Sequence, residues 1–448
     1  MTSTLYTDPT PNDLLASRPS LRMDPRDGLL FEDVPVEHIA RELGTPCWIT
    51  GAGTLRRRAA DLKAAFTARD LPMSFHFAMK AQDHQATLRI LKDCGYGVDI
   101  VSGGEMARAL AAGIAPEAIV FSGVGKSDQE LRAAIAARIG QINVESVEEL
   151  YRLAALAEEA PSSDGFRIRV TLRVNPDVDA QTHDKISTGR ADDKFGIAYD
   201  QALSLYVEAQ KFRAIHVIGL AVHLGSQMLA AEPFRRGYER LAEMVRALRS
   251  QGQTVEIVDC GGGLGISYRD EIAPAPDMLA GVIAETLGGL DVTIGLEPGR
   301  WLAAPTGLFI TRVIETKAGN PARGTPDFLI VDGGMNDLAR PAMYDSWHGI
   351  VPVSPTLAHD TLKPWHVVGP VCESSDVFAR NRPLPTKLQR GDLVAFLDAG
   401  AYGSVMSSTY NSRPFVAQAL VDNGRWSCIR KRQSIAELIA AETLPDWL

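Results

Sequence analysis

The feature that most constrains this 448-residue chain is a regular alternation running from residue 75 to residue 296. Short apolar runs at 75–78, 97–101, 118–121, 141–144, 167–174, 216–223, 255–258 and 292–296 read as strands. Stretches at 84–94, 104–112, 128–137, 147–160, 200–210, 232–251 and 276–287 read as helices between them, and 55–69 as a helix ahead of the first. Strands separated by helices imply parallel β-α units. Eight such strands in this length predict a closed (β/α)8 barrel. An open doubly wound sheet is the competing arrangement. It should carry a G-x-G-x-x-G turn after its first strand, and none occurs there.

The pattern changes after residue 305. Runs at 308–316, 327–331, 365–371, 393–397 and 415–421 read as strands without long helices between them, punctuated by Gly and Pro. They predict an all-β, sandwich- or barrel-like domain, which an early strand, Thr45-Pro46-Cys47-Trp48-Ile49-Thr50, can join. The expected organisation is a segment 1–50 contributing to the β-domain, a barrel over 51–305 and the β-domain over 306–448. Residues 1–28 are polar and Pro-rich, and are expected to be mobile at their start.

Composition bounds the class. A hydrophobic fraction of 45% and a charged fraction of 23% are those of a soluble globular protein. A formal net charge of −9, with no long run of Lys and Arg, argues against a nucleic-acid partner. The first 30 residues hold no apolar export core, and no uncharged apolar stretch approaches a membrane span, so neither is expected. Cys47, Cys94, Cys260, Cys372 and Cys428 are odd in number and form no C-x-x-C pair, which predicts neither a disulfide framework nor a zinc site. A cytoplasmic protein without a structural metal is expected.

In a barrel, the residues just past the strand ends line the active site. Here they are Lys80, Ser102-Gly103-Gly104-Glu105, Ser122-Gly123, Asn143 to Ser146, Arg173-Val174-Asn175, His223-Leu224-Gly225-Ser226, Gly261-Gly262-Gly263 and Glu297-Pro298-Gly299-Arg300. A lysine at the end of a buried strand either snorkels to solvent or, with its ammonium form disfavoured by burial, serves as a nucleophile for a carbonyl. The triple glycine is either a tight turn or a cradle of bare N–H groups for an anion. Gly299, Arg300 and the Ser226 hydroxyl suit a phosphate as well, and a phosphate site near the seventh and eighth strands recurs in this fold. A lysine and a phosphate site in one mouth suggest pyridoxal 5'-phosphate held as a Schiff base. Glu297 is then the candidate partner of the pyridine nitrogen, and His223 the candidate for packing on the ring face.

These residues match a family. The chain resembles the pyridoxal-phosphate-dependent decarboxylases with an alanine-racemase-like barrel. The resemblance is carried by Phe77-Ala78-Met79-Lys80-Ala81, Val101-Ser102-Gly103-Gly104-Glu105, Asn143-Val144-Glu145-Ser146, Arg173-Val174-Asn175-Pro176, His183, Lys185-Ile186-Ser187-Thr188-Gly189, Lys194-Phe195-Gly196-Ile197, His223-Leu224-Gly225-Ser226-Gln227 and Glu297-Pro298-Gly299-Arg300. It continues with Asp332-Gly333-Gly334-Met335-Asn336-Asp337, Arg340-Pro341, Tyr344-Asp345, Gly369-Pro370-Val371-Cys372-Glu373-Ser374 and Ala401-Tyr402-Gly403. It covers residues 30 to 425, and is strongest to members that convert meso-2,6-diaminopimelate to L-lysine and CO2.

The resemblance implies roles. Lys80 forms the imine, His223 stacks on the ring and Glu297 meets its nitrogen. Ser226, Gly261, Gly262, Gly263, Gly299, Arg300 and Tyr402 hold the cofactor's phosphate region. Arg300, Arg340 and Tyr344, with Tyr402 beside them, bind the far carboxylate of the substrate. Cys372 delivers a proton after CO2 leaves, and Glu373 meets the distal ammonium. Asp99 and Arg173 resemble a pair that orients the lysine. The Cys372–Glu373 loop is expected to complete a partner subunit's site, implying a homodimer with shared sites. Gln82, Leu224 and Ser375 depart from the family pattern, and Ser375 adjoins the loop that reads the distal end. A decarboxylase of another diamino acid or a carrier-bound amino acid shares most of these motifs. A racemase on this barrel places an arginine at the ring nitrogen, where this chain has Glu297. A Schiff-base aldolase needs neither the glycine cradle nor a separate domain with Cys372, and a non-catalytic relative has no reason to keep Lys80, Glu297 and Cys372 together.

Overall fold

The computed structural model describes residues 8–160, 165–176 and 194–448. They fall into two compact units. One comprises the described residues of Arg56–Ile266 with Ile272–Leu302; the other comprises those before Arg56, with Ser267–Glu271 and Ala303–Leu448.

The first unit is a closed ring of eight parallel strands: Met73–Ala78, Gly97–Ile100, Ile119–Phe121, Gln141–Val144, Ile168–Asn175, Ile215–Ala221, Ile257–Asp259 and Thr293–Leu296. The last pairs with the first through Leu296 and Phe75, closing the barrel. A further two-residue strand, Ile197–Ala198, lies against the end of the fifth. The expected (β/α)8 architecture is therefore present. Outward residues such as Phe77, Val98, Ile119, Phe121, Ile142 and Val144 are fully buried under the helices, each contributing about 1.5–3 kcal/mol by leaving water. Inward positions differ. His76, Asp99, Gln141, Asn143, Thr171 and Asp259 give the barrel a polar interior, which has to be satisfied by internal hydrogen bonds.

Three barrel helices are each capped by a serine, two of them starting directly behind a strand end. Ser102 Oγ accepts from Glu105 N–H, Ser127 forms a capping box with Glu130, and Ser146 Oγ accepts from Glu149 N–H. Two of these, Ser102 and Ser146, count among the polar residues of the mouth, and their hydroxyls are engaged in starting helices. Polarity at a strand end is thus partly a structural requirement.

The second unit is sheet-rich. A seven-strand path runs Val377–Pro385, Leu362–Val368, Phe328–Val331, Gly307–Lys317, Cys47–Gly51, Ala417–Asp422 and Arg425–Arg430, with Leu393–Phe396 and Ile350–Pro352 branching from it. A separate three-stranded sheet precedes it in the chain. The early strand Cys47–Gly51 sits inside the large sheet, between Gly307–Lys317 and Ala417–Asp422. Successive residues feed opposite faces: Leu308 and Ile310 enter one core cluster, Phe309 and Val313 the other. Both faces are covered, which is why these strands read as continuous apolar runs.

The segment after residue 8 is more ordered than its composition suggests. Pro11–Ala16 is a helix with a Thr10 capping box, and Arg18 Nε donates to Asp398 Oδ2 at 2.7 Å in a buried ion pair. Among the described residues no helix is long and apolar enough to cross a membrane.

Candidate active site

The barrel unit brings Lys80, His223, Ser226, Gly261 to Gly263, Glu297, Gly299 and Arg300 together at the C-terminal ends of its strands. Lys80 lies in a single 3-10 turn, Met79–Ala81, directly after the first strand. Its Nζ donates to Asp99 Oδ2 at 3.1 Å, and Asp99 is wholly buried on the neighbouring strand. The second Asp99 oxygen is buried with no hydrogen-bond partner among the described residues. Asp99 is thus in contact with the lysine that it is expected to orient. The Arg173 guanidinium pairs at 2.6 Å with Glu145, at the neighbouring strand end, which also accepts from Gly123 N–H and Gly196 N–H.

Glu297 is buried, and its Oε1 accepts from Asn143 Nδ2 at 3.2 Å and Ser122 Oγ at 3.4 Å. Burial, followed by the charges of Asp259 and Asp99, pushes its carboxyl well above the ordinary carboxylate value. His223 Nδ1 accepts from Gly262 N–H at 3.2 Å, which places any ring proton on Nε2. Burial, then Lys80 and Arg173 nearby, holds this imidazole well below its ordinary pKa, so it stays neutral.

The glycines serve chiefly by having no side chain. A Cβ on Gly262 would run into the Glu297 carbonyl oxygen, and one on Gly261, at φ +65°, into the Val222 carbonyl. Their N–H groups are engaged: Gly261 donates to Asp259 Oδ1 at 3.0 Å and Gly262 to His223. Of the three, only Gly263 has an amide without a hydrogen-bond partner among the described residues. Beside this turn, Arg300 donates from Nη2 and Nε to Ser226 Oγ at 3.0 and 3.3 Å, so a cation and a hydroxyl meet at one corner.

The remaining expected residues lie in the sheet-rich unit. Arg340 is buried, over the Tyr268 ring, and its Nη1 lies 2.9 Å from His348 Nε2. His348 Nδ1 faces the Leu397 carbonyl, so that nitrogen carries the proton and Nε2 accepts from Arg340. Tyr344 closes the short helix Arg340–Tyr344. Tyr402 has φ +55°, a left-handed backbone that a bulky residue adopts only under constraint. Cys372 is exposed; its N–H donates to Asn411 Oδ1, and Glu373 accepts from the Tyr410 hydroxyl. Asp376 fastens this loop by accepting from Val371 N–H and Met335 N–H, each at 2.7 Å. His183 and Lys185-Ile186-Ser187-Thr188-Gly189 lie outside the described residues.

Pyridoxal phosphate can be tested against these groups. The ring needs an amine, a carboxyl for its nitrogen, a flat uncharged face and a phosphate corner. Lys80, Glu297, neutral His223 and the Ser226–Arg300 pair with Gly263 supply them. Glu297 in particular lies buried among other carboxyl groups, a place where a cationic ring nitrogen is favoured. The fold and this set define a barrel-type pyridoxal-phosphate enzyme.

The comparisons agree. Residues 52–304 match the model described as pyridoxal-dependent decarboxylase, pyridoxal binding domain. This chain belongs to the pyridoxal-dependent decarboxylase family. It is 43% identical over 423 residues to diaminopimelate decarboxylase of Zymomonas mobilis, covering 94% of this chain and 98% of that protein. Among solved structures it resembles diaminopimelate decarboxylase from Helicobacter pylori complexed with L-lysine, at 37% identity and TM-score 0.84 over 90% of this chain and 98% of that one. The enzyme from M. jannaschii in co-complex with L-lysine matches at 31% identity and TM-score 0.89, over 96% and 99%.

Sequence reasoning missed Asp259, Gln141 and His76 in the barrel interior, and Glu145 as the partner of Arg173. A period-two signal was available: His76 lies on the same strand face as Ala78, and Gln141 on the same face as Asn143.

Proposed function

We propose that this chain decarboxylates meso-2,6-diaminopimelate to L-lysine and CO2. The observation that carries the reading is the Lys80–Asp99 pair at the end of the first strand, in a chain 43% identical over 94% of its length to a diaminopimelate decarboxylase. Bound pyridoxal phosphate supplies a carbonyl that captures an amine and a ring that accepts the electron pair left by bond cleavage. Lys80, held by Asp99, is the amine that holds it. Ser226, Gly263, Gly299 and Arg300 bind its phosphate region, with Tyr402, while Gly261 and Gly262 let the backbone pass closely. His223 presents an uncharged ring face, and Glu297 faces the ring nitrogen.

The substrate carries an amino-acid group at each end, one reacting and one to be recognised. Arg300, Arg340 and Tyr344 suit its distal carboxylate, which guanidinium groups recognise by charge-assisted hydrogen bonds. Glu373 suits the distal ammonium. Cys372 donates the proton that takes the place of the lost carboxylate. We assign these last two to a second copy of the chain, in a homodimer with shared sites. The exposure of Cys372 and the anchoring of its loop by Asp376 support that assignment. Five free cysteines support a cytoplasmic location.

The test is CO2 release from meso-, LL- and DD-diaminopimelate, lysine, ornithine and arginine. Turnover of the meso isomer, with none of the simple diamino acids decarboxylated, is expected. Activity confined to another substrate overturns the reading and moves the protein to a sister activity.

A further inference from the structure

Four carboxyl groups, Asp99, Glu145, Asp259 and Glu297, are buried at the strand ends of the barrel, and cations balance only two. Asp99 is paired with Lys80, and Glu145 with Arg173. Asp259 and Glu297 are left, both buried, and they share a side-chain hydrogen bond. His76 faces Asp259 from the first strand, and burial keeps its imidazole neutral; its Nδ1 is buried without a hydrogen-bond partner among the described residues. Two carboxylates in contact inside a protein do not both ionise, so this pair holds one proton.

The hydrogen bonds say where that proton lies. Burial raises the Asp259 carboxyl as well, but it accepts from Gly261 N–H at 3.0 Å and from Gln141 Nε2 at 3.2 Å, two donors that favour its ionised form. Glu297 accepts from Asn143 and Ser122 over 3.2 and 3.4 Å. Asp259 fills the space left by the missing side chain of Gly295, its neighbour in the sheet: a Cβ there would lie 3.0 Å from Asp259 Cγ. Asp259 also faces Asp99, Tyr238 and Cys260, while Glu297 faces Lys80, Arg173, Asp99 and Cys260.

We propose that Asp259 is a positioning residue for the cofactor, an anchored carboxylate that shares one proton with Glu297 and thereby keeps a proton at the contact between Glu297 and the ring nitrogen. This rests on the reading that Glu297 faces that nitrogen. In the ligand-free chain Glu297 carries the proton and donates to Asp259. Toward a bound ring, Glu297 would supply that proton to the nitrogen and would be left as a carboxylate, with no change of electrons. The negative charge of Asp259 makes Glu297 a stronger base and opposes loss of the proton from that contact.

The test uses the full chain loaded with ring-15N pyridoxal phosphate, following the nitrogen resonance against pH. In Asp259→Asn the nitrogen is expected to lose its proton at a pH at least about one unit lower than in the unaltered protein, a tenfold change. Identical titrations overturn the proposal. Glu297→Gln is the separate control: a nitrogen that stays protonated there refutes the assignment of Glu297 itself, whatever Asp259 does. If Asp259→Asn does not fold, infrared spectra of the ligand-free protein decide. The unaltered chain should show a carboxylic-acid band at neutral pH that Glu297→Gln lacks, and absence of that band overturns the shared proton. A purely structural Asp259 would leave the nitrogen titration unmoved.

Discussion

Lys80 Nζ and Asp99 Oδ2 are 3.1 Å apart, yet the two side chains differ sharply in exposure: the lysine is 33% accessible and the aspartate 0%. The lysine can therefore reach a ligand while its partner is fixed in the barrel interior. Removing the lysine strands a buried carboxylate, which is costly even where the intact pair contributes little. Lys80→Met should lower stability by about 3 kcal/mol, and Lys80→Met with Asp99→Asn should recover most of it, measured by chemical denaturation. Equal losses in the single and double variants would mean the two are uncoupled. Lys80→Met should also abolish the visible absorbance of the bound cofactor.

Gly262 gives a second prediction. Its missing side chain lets the turn after the seventh strand lie against the Glu297 carbonyl, a backbone atom that cannot rotate away. Gly262→Ala should shift the turn at a cost of about 1–3 kcal/mol. Cofactor affinity should fall about two- to twelvefold if half of that reaches the site. Equilibrium dialysis with pyridoxal phosphate measures this; unaltered affinity would show that the turn has slack.

The barrel was legible because each strand buries an apolar face under helices, and its period shows in the residue pattern. Lys80, His223 and Glu297 were legible as polar residues at strand ends. Asp259 was not, because it sits two residues before a conspicuous glycine run and reads as the end of a strand. Ser102 and Ser146 looked like ligand groups but cap helices, since a helix that starts behind a strand end needs an acceptor for its free N–H groups. In the sheet-rich unit, Val377–Pro385 was hidden by Pro383 and Pro385, which an edge strand tolerates. Arg425–Arg430 had a usable signal in Asn423-Gly424, both at positive φ, the signature of a tight hairpin.

Glu105 supplies a pH prediction. Burial, opposed by a 2.6 Å hydrogen bond from Val101 N–H and reinforced by Asp99, raises its carboxyl from 4.5 to about 7. The folded protein therefore binds a proton more tightly here than the unfolded chain does. The resulting stability is fully present below pH 4.5 and is lost as pH rises through 7. Glu105→Gln should match the unaltered protein at acid pH and exceed it at alkaline pH by about 1–2 kcal/mol, the partial exposure of the side chain reducing the full linkage value. Denaturation midpoints on either side of neutrality measure the difference, and a gap that does not change with pH would contradict it.

Cys372 and Glu373 give the last prediction, which concerns both chemistry and assembly. Their loop is held by Asp376, and the Tyr410 hydroxyl donates to Glu373, so Glu373→Gln keeps the shape of the loop while removing its charge. It should weaken substrate binding more than cofactor binding. Cys372→Ala should slow turnover severely with the cofactor still bound, because the proposed role of the thiol is on the substrate carbon and not on the ring. If that thiol serves the neighbouring copy, two inactive proteins should rescue each other. Mixing Lys80→Ala with Cys372→Ala under conditions that exchange subunits leaves half of the dimers mixed, and each mixed dimer has one intact lysine facing one intact cysteine. About a quarter of the unaltered activity should return. No recovery in demonstrably exchanged dimers would place Cys372 in the same copy's site, and a monomer in solution would remove the shared-site arrangement altogether.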